Sequence, residues 1–313
     1  FANDRADFLG ARRFSQGFPL PATLVFPTAG AALFSIERDF QIPYASQWNA
    51  GVQHQLANQT LLSANYVGTK GTGLLLAPNI NQARPGPGAV NPRRPWPGFG
   101  DINDVESAGS SIYHSLQVSA EKRMTGGLSF LSSYTWSHAI DNGGFIAGRQ
   151  DLNNLAAERG NGEVDMRHRF VTAWSWALPF GRQRRFLRDA QGLARAFAAG
   201  WQLNGISSIY SGIPFTVNSG INTLNGSGSQ RADRLRHGGL PKSQRTLQRY
   251  FDVGAFAVPG QYQFGNSGRN ILTGPGTVQF DFSVFKSFQF EESERHRLDF
   301  RTEVFNLFNT PQF

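Results

Sequence analysis

From Thr277 to Asn309 apolar and polar residues alternate with a period of two. Val278, Phe280, Phe282, Val284, Phe288 and Phe290, then Leu298, Phe300, Val304 and Phe308, stand at even positions. Gln279, Asp281, Ser283, Ser287 and Gln289, then Arg297, Asp299, Arg301 and Glu303, stand at odd ones. Such alternation puts the two sets on opposite faces of extended chain. Each run is longer than about ten residues, roughly twice an ordinary globular strand. The short charged break Glu291–Glu294 then predicts one long antiparallel hairpin. A face of phenylalanines backed by a row of full charges suits a membrane β-barrel, with rings toward lipid and ions toward a wet lumen. A soluble amphipathic sheet is the other reading of this hairpin.

The same period recurs upstream. Tyr44–Leu56 sets Trp48, Ala50, Val52 and Leu56 against Gln47, Asn49, Gln53 and Gln55. A tight turn at Ala57–Gln59 leads to a strand with Leu62, Ala64 and Tyr66 opposing Ser63 and Asn65. The Pro- and Gly-rich stretch Lys70–Ser110 reads as a long loop. Ile112, Leu116, Val118 and Ala120 oppose Ser115, Gln117, Ser119 and Glu121; Thr125-Gly126-Gly127 supplies a hairpin turn, and Leu128, Phe130, Tyr134 and Trp136 return. Ala139–Asp165 is a polar loop, Met166–Phe180 a strand, and Gly181–Gly200 carries the arginine cluster RQRRFLR and a short helix. Trp201–Val217 is the weakest strand, because Ile206 and Tyr210 fall out of phase with Trp201, Leu203 and Ile209, which predicts a bulge or kink. Asn218–Pro275 is the longest loop. Residues 1–43 read as a long external loop, and residues 44–313 as barrel.

Two regularities join these strands into one architecture. Short and long connections alternate, as they do between periplasmic turns and external loops of outer-membrane barrels. Trp48, Tyr66, Tyr134, Trp136, Trp174, Trp176 and Trp201 share the apolar phase, several near strand ends, as interfacial girdles require. The fold class expected is therefore all-β: an antiparallel transmembrane β-barrel, of which about eight strands are present.

Composition narrows the rest. With 313 residues, 40% of them hydrophobic, the chain contains no apolar run long enough for a spanning helix. A barrel escapes that test because only alternate residues face lipid. The absence of cysteine removes disulfide scaffolds and thiolate chemistry. The net charge is +8, carried by 30 basic residues of which only Lys70, Lys122, Lys242 and Lys286 are lysines. The arginines are scattered over loops and polar strand faces, so no nucleic-acid partner is expected. A start at FANDRADF and a stop at Gln312-Phe313, just after a strand, read as truncation at both ends.

Candidate chemistry is thin, and no enzyme is expected. Ser137, His138 and Asp141 resemble parts of a triad, but adjacent strand residues point to opposite faces. His54, His114, His138, His168, His237 and His296 lack metal-ligand spacing. Asp101–Asp104 and Asp151–Asn154 hint at calcium loops without the EF-hand glycine and glutamate. Gly265–Gly268 and Gly274–Gly276 have no phosphate-loop context. No cofactor is expected.

The segments YASQWNAGVQHQL (Tyr44–Leu56), SYTWSHAIDN (Ser133–Asn142), DMRHRFV (Asp165–Val171), LPFG (Leu178–Gly181), GNSGRNILTGPG (Gly265–Gly276), DFSVFKSF (Asp281–Phe288) and EVFNLFNTPQF (Glu303–Phe313) follow in that order. This series resembles the C-terminal barrel portion of TonB-dependent outer-membrane receptors of the Oar-like type. The resemblance implies a barrel of about 22 strands with a plugged lumen, a final strand missing here, and energised uptake of an unidentified extracellular ligand. Its implied partners are outer-membrane lipid, an N-terminal plug domain and TonB, the last two reached through segments absent from this sequence. Within that frame Asp281, Arg297, Asp299, Arg301 and Glu303 are the lumen- or plug-facing candidates, expected to form a salt-bridged ladder. A surface adhesion barrel without import and a soluble carbohydrate-binding β protein are the alternatives.

Overall fold

The computed structural model describes residues 30–56, 59–144, 148–181, 184–189, 191–289 and 297–311. Eight long strands make one antiparallel sheet: β2 (Tyr44–Leu56), β3 (Thr60–Leu76), β4 (Ile102–Thr125), β5 (Leu128–Asp141), β7 (His168–Ala177), β8 (Trp201–Tyr210), β13 (Thr277–Gln289) and β14 (Arg297–Val304). They run in the order β14-β13-β8-β7-β5-β4-β3-β2, so every long strand lies beside its neighbours in sequence. Two short strands join this sheet. β1 (Leu33–Ile36) runs parallel to the start of β4, and β6 (Gly160–Asn161) pairs with the end of β5. In the longest loop β9 (Pro214–Phe215) pairs with β12 (Leu272–Thr273), and β10 (Asp233–Arg234) with β11 (Phe256–Ala257). The helix α1 (Gly192–Ala198) lies between β7 and β8.

Register carries the period-two pattern from strand to strand. Ala50 faces Tyr66, Tyr66 faces Leu116, Leu116 faces Trp136, and Trp136 faces His168. Trp174 faces Gly205, and Gly205 faces Phe282, which in turn faces Val304. Because directly opposed residues share a side, one apolar phase runs unbroken across the sheet. Among the described residues no second layer covers it. Val52 is 71% exposed, Phe300 58% and Trp136 39%, while the buried apolar side chains, such as Leu76, Ile102, Val217, Leu224 and Leu272, sit in loops or at the loop end of the strands. A sandwich would bury that phase against a facing sheet. Here rings and aliphatics stay open along the strands, as lipid contact demands.

The connections that follow β2, β4, β7 and β13 fall at one edge of the sheet. Gly126 and Gly127, with φ of 64° and 86°, make the two-residue turn of β4 and β5 that only glycine adopts at low cost. Gln59 holds φ of 57° just before β3, while Ala57 and Asn58 lie outside the described residues, as does the break Glu291–Glu294. At the opposite edge stand the long connections, residues 77–101, 142–167 and 211–276.

The structure corrects several expectations. The loop expected over Lys70–Ser110 is shorter, because β3 continues to Leu76 and β4 begins at Ile102. Ladder hydrogen bonds do not need alternating side chains, so GTKGTGLLL pairs although its pattern is poor; the ladder slips between Thr72 and Leu74, next to Gly73 at φ 64°. Likewise β5 reaches Asp141, and residues 1–43 contain β1, although residues 1–29 lie outside the described part. The bulge expected in Trp201–Val217 is absent, since β8 pairs in unbroken register with both β7 and β13. Ile206 stands instead on the polar side opposite Asp281. The second run of the last hairpin is shorter than expected: β14 has 8 residues and ends at Val304. Asn306 at φ 49° turns the chain, its backbone N–H bonded to Asp281 at 2.8 Å, and Phe308 returns to pack edge-on against Phe280 at 5.1 Å. Finally, the eight strands expected as a section of a larger barrel form, among the described residues, an open sheet with β2 and β14 as its edges.

Candidate functional site

Two regions could meet a solute: the polar face of the sheet and the body built by the long loops. On the polar face Arg297 and Asp299 pair at 2.7 Å, and Arg301 pairs with Glu303. Both pairs run along β14 rather than across to β13, because β13 offers Ser283, Phe285 and Ser287 opposite Glu303, Arg301 and Asp299. The ladder expected across the hairpin is therefore replaced by two exposed pairs within one strand, with the Ser287 hydroxyl donating to Asp299. Asp281 does not join this set. It accepts from Gln279 at 3.1 Å and from the Asn306 backbone, one turn beyond the end of β14. Phe285, an apolar residue in the polar phase, lies under the Arg301 guanidinium at 4.7 Å, which holds that cation along the sheet. Farther across the same face Asn65, Gln117, Ser119, Ser133, Thr135 and Arg169 line an open groove.

The loop body is held by a buried polar network. Arg231 donates to Glu158 at 2.7 Å, both side chains being under a tenth exposed. Glu158 also accepts from the Gln150 backbone at 3.1 Å, and its carbonyl accepts from Arg269 at 2.9 Å. Gln150 in turn accepts from the Arg231 backbone at 2.6 Å and donates to Gly265 O at 2.9 Å. Arg269 reaches Asp141 at the end of β5 and so ties the network to the sheet. Asn81, fully buried, donates to Gly100 O at 2.7 Å and accepts from the Trp96 backbone at 2.8 Å. Arg149 pairs with Glu106 of β4; burial pulls its guanidinium below the usual range, and the charge of Glu158 opposes that shift. Buried charges persist only when paired and bonded in this way. Residues Val217, Ala232 and Leu272 add a small apolar core, with Phe215, Phe251 and Phe256 packed against it. Beside it His237, Arg245, Tyr250 and Phe251 line a small cleft, where Arg245 donates to Tyr250 Oη at 3.2 Å and to Leu240 O at 2.8 Å.

Residues weighed for catalysis or metal binding are otherwise employed. The Ser137 hydroxyl donates to Met166 O at 2.8 Å, His138 lies 3.3 Å from Asp165, and Asp141 is taken by Arg269. Asp101 pairs with Arg94 at 2.9 Å, Asp104 accepts from Ser35, Asp151 accepts from the Asn153 backbone, and Asn154 caps a short 3-10 turn. Among the described residues no group of three or more metal-ligating side chains is gathered.

Three features escaped the sequence reading. Histidines sit on the apolar phase: Tyr66 bonds His114 at 2.7 Å and Tyr134 bonds His168 at 2.8 Å, each pair stacked. Lys286 also stands on the apolar phase, opposite Trp201. A charge in the ring phase of FSVFKSF was the available signal. The network of Gln150, Glu158, Arg231 and Arg269 left no local signal, since its members come from different loops.

No helix among the described residues is long and apolar enough to cross a membrane, a test that does not bear on strands. No curated protein matches the chain. The family described as Outer membrane beta barrel domain matches residues 2–313. That match agrees with the uncovered apolar phase, displaces the soluble-sheet reading and places the protein in the bacterial outer membrane. The chain belongs to the outer membrane β-barrel domain family.

Proposed function

We propose that this chain is part of the barrel wall of a TonB-dependent outer-membrane receptor, which imports a ligand bound at its external loops and is not an enzyme. The observation that carries the reading is the open sheet: among the described residues β2 and β14 are its edges, while one face is apolar and the other charged. Unpaired backbone groups in hydrocarbon cost several kcal/mol each, so such edges must be paired in the membrane, and in this reading their partners are further strands of a wider barrel. A barrel widened in that way leaves the row Arg297, Asp299, Arg301 and Glu303 facing a lumen broad enough to need a plug. The ordered series of segments shared with Oar-like receptors supports the same reading. The loop body, with exposed arginines around a bonded interior, supplies a firm external surface for ligand capture.

In this reading binding at the loops and plug is followed by movement of the plug, driven from the inner membrane through TonB. Photocrosslinking in cells that express the complete receptor tests it. An adduct with TonB, lost when the plug-side contact segment is deleted, is the expected result. A surface barrel that binds without import would give no adduct at any position.

A further inference from the structure

The connection between β7 and β8, residues 178–200, stands at the same edge of the sheet as the two-residue turn at Gly126 and Gly127, and it is far longer. It carries five arginines, at positions 182, 184, 185, 188 and 195, against one acid, Asp189. Arg184, Arg185 and Arg188 are exposed. So are its large apolar side chains: Phe186 is 48% exposed, Leu187 55%, Leu193 78% and Phe197 69%.

Two contacts fix the side of the sheet on which this segment lies. Trp201 Nε1 donates to Phe197 O at 2.7 Å, and Lys286 Nζ donates to Ala199 O. Trp201 and Lys286 face each other in register and share the apolar phase with Phe282. The Lys286 ammonium lies 5.3 Å from the Trp201 ring and 4.7 Å from that of Phe288, and the residue is only 2% exposed. Helix α1 is therefore seated against the lipid-facing rim and not over the lumen. Upstream of it Phe180 and Phe186 pack at 5.9 Å, and the Arg185 guanidinium stands 5.4 Å from the Phe186 ring.

We propose that residues 178–181, 184–189 and 191–200 form an interfacial foot that binds anionic phospholipid headgroups of the periplasmic leaflet, with Arg184, Arg185 and Arg188 on phosphates and Phe186, Leu187, Leu193 and Phe197 in the acyl boundary. The charge excess, the exposed rings and the rim position select a lipid surface as occupant. Basic residues beside apolar ones, held at headgroup depth, are how interfacial segments bind membranes. Lys286 and Trp201 hold the foot to the wall.

This chain has no cysteine, so Leu193→Cys in the complete protein, with any cysteine outside these residues replaced by serine, gives a single labelling site for an environment-sensitive fluorophore. The labelled protein is refolded into vesicles of phosphatidylcholine with or without phosphatidylglycerol, both doped with a doxyl-labelled lipid quencher. Quenching at position 193, absent from a label at Leu247→Cys in the external loop, is expected. Native mass spectrometry of the same protein should retain phosphatidylglycerol over phosphatidylcholine. Replacing Arg184, Arg185 and Arg188 by glutamine should cut that preference on the order of a hundredfold, at about fivefold per arginine. High salt should weaken it in the unmodified protein, which guards against a folding defect in the variant. An unquenched label at 193 in both vesicles, or a preference unmoved by the substitutions and by salt, would overturn the proposal. So would a label that responds only to added peptidoglycan fragments or to the periplasmic domain of TonB.

Discussion

Trp174 lies over Gly205 of the next strand: a Cβ built at position 205 would stand 2.6 Å from the indole. The same arrangement recurs at the other side of the sheet, where a Cβ at Gly68 would stand 2.2 Å from Trp48. In both cases a large ring uses the vacant place on the neighbouring strand to reach beyond it. Trp174 meets Phe282 at 6.2 Å, and Trp48 meets His114 at 6.2 Å. Cross-strand contacts of this kind hold a sheet that no layer among the described residues covers.

Gly205→Ala should therefore displace the indole and cost about 1–3 kcal/mol of barrel stability. Urea unfolding of the protein refolded in detergent, followed by heat-modifiable gel mobility, reads the loss. Trp174→Phe in the same chain should recover part of it, and the double-mutant cycle gives the coupling. Simple additivity would mean that the ring does not depend on the glycine.

The orientation of the faces is open to a direct contrast between neighbours in sequence. Phe282→Arg puts a cation toward hydrocarbon and should cost about 2–4 kcal/mol near mid-bilayer. Ser283→Arg turns the same charge to the polar face opposite Glu303 and should cost less than about 1 kcal/mol. Folding yields into lipid vesicles compare the two, and equal losses would deny the assignment.

Breaking the buried pair in the loops should loosen them without harming the wall. Glu158→Ala leaves the Arg231 guanidinium buried without its carboxylate and should destabilise the loop body by about 3–5 kcal/mol. Protease added to intact cells should then cut within residues 142–167 and 211–276, while insertion and heat-modifiable mobility stay unchanged. Protection equal to that of the parent would show that the network is dispensable.

Arg301→Gln removes one partner of an exposed pair and the cation above Phe285. An exposed pair contributes less than about 1 kcal/mol, so insertion should barely change. If the row meets a moving plug, passage through the complete receptor should change far more, read as altered sensitivity of cells to a large antibiotic that the plug normally excludes. Equal, small effects on insertion and passage would leave Arg301 a structural role only.

The alternation of residues by itself determined which side chains share a face, because an extended chain has a period of two whatever its neighbours do. Tyr44–Leu56 was legible to its bounds, and so were the turn at Gly126 and Gly127 and the position of α1. Where the ladder continues through glycines, as in β3 beyond Lys70, backbone pairing outlasts the pattern and only the partner strand shows it. The regular course of β8 was hidden for a related reason: Gly205 left a gap in its apolar phase, and that gap is filled by Trp174 from outside the strand. The loop network needed the tertiary structure outright. Arg231 and Glu158 are 73 residues apart, and Arg269 and Asp141 are 128 apart. Partners so distant are chosen by where the sheet delivers the loops, which no local spacing encodes. The foot follows the same logic, since Lys286 meets Ala199 only because β8 and β13 lie side by side.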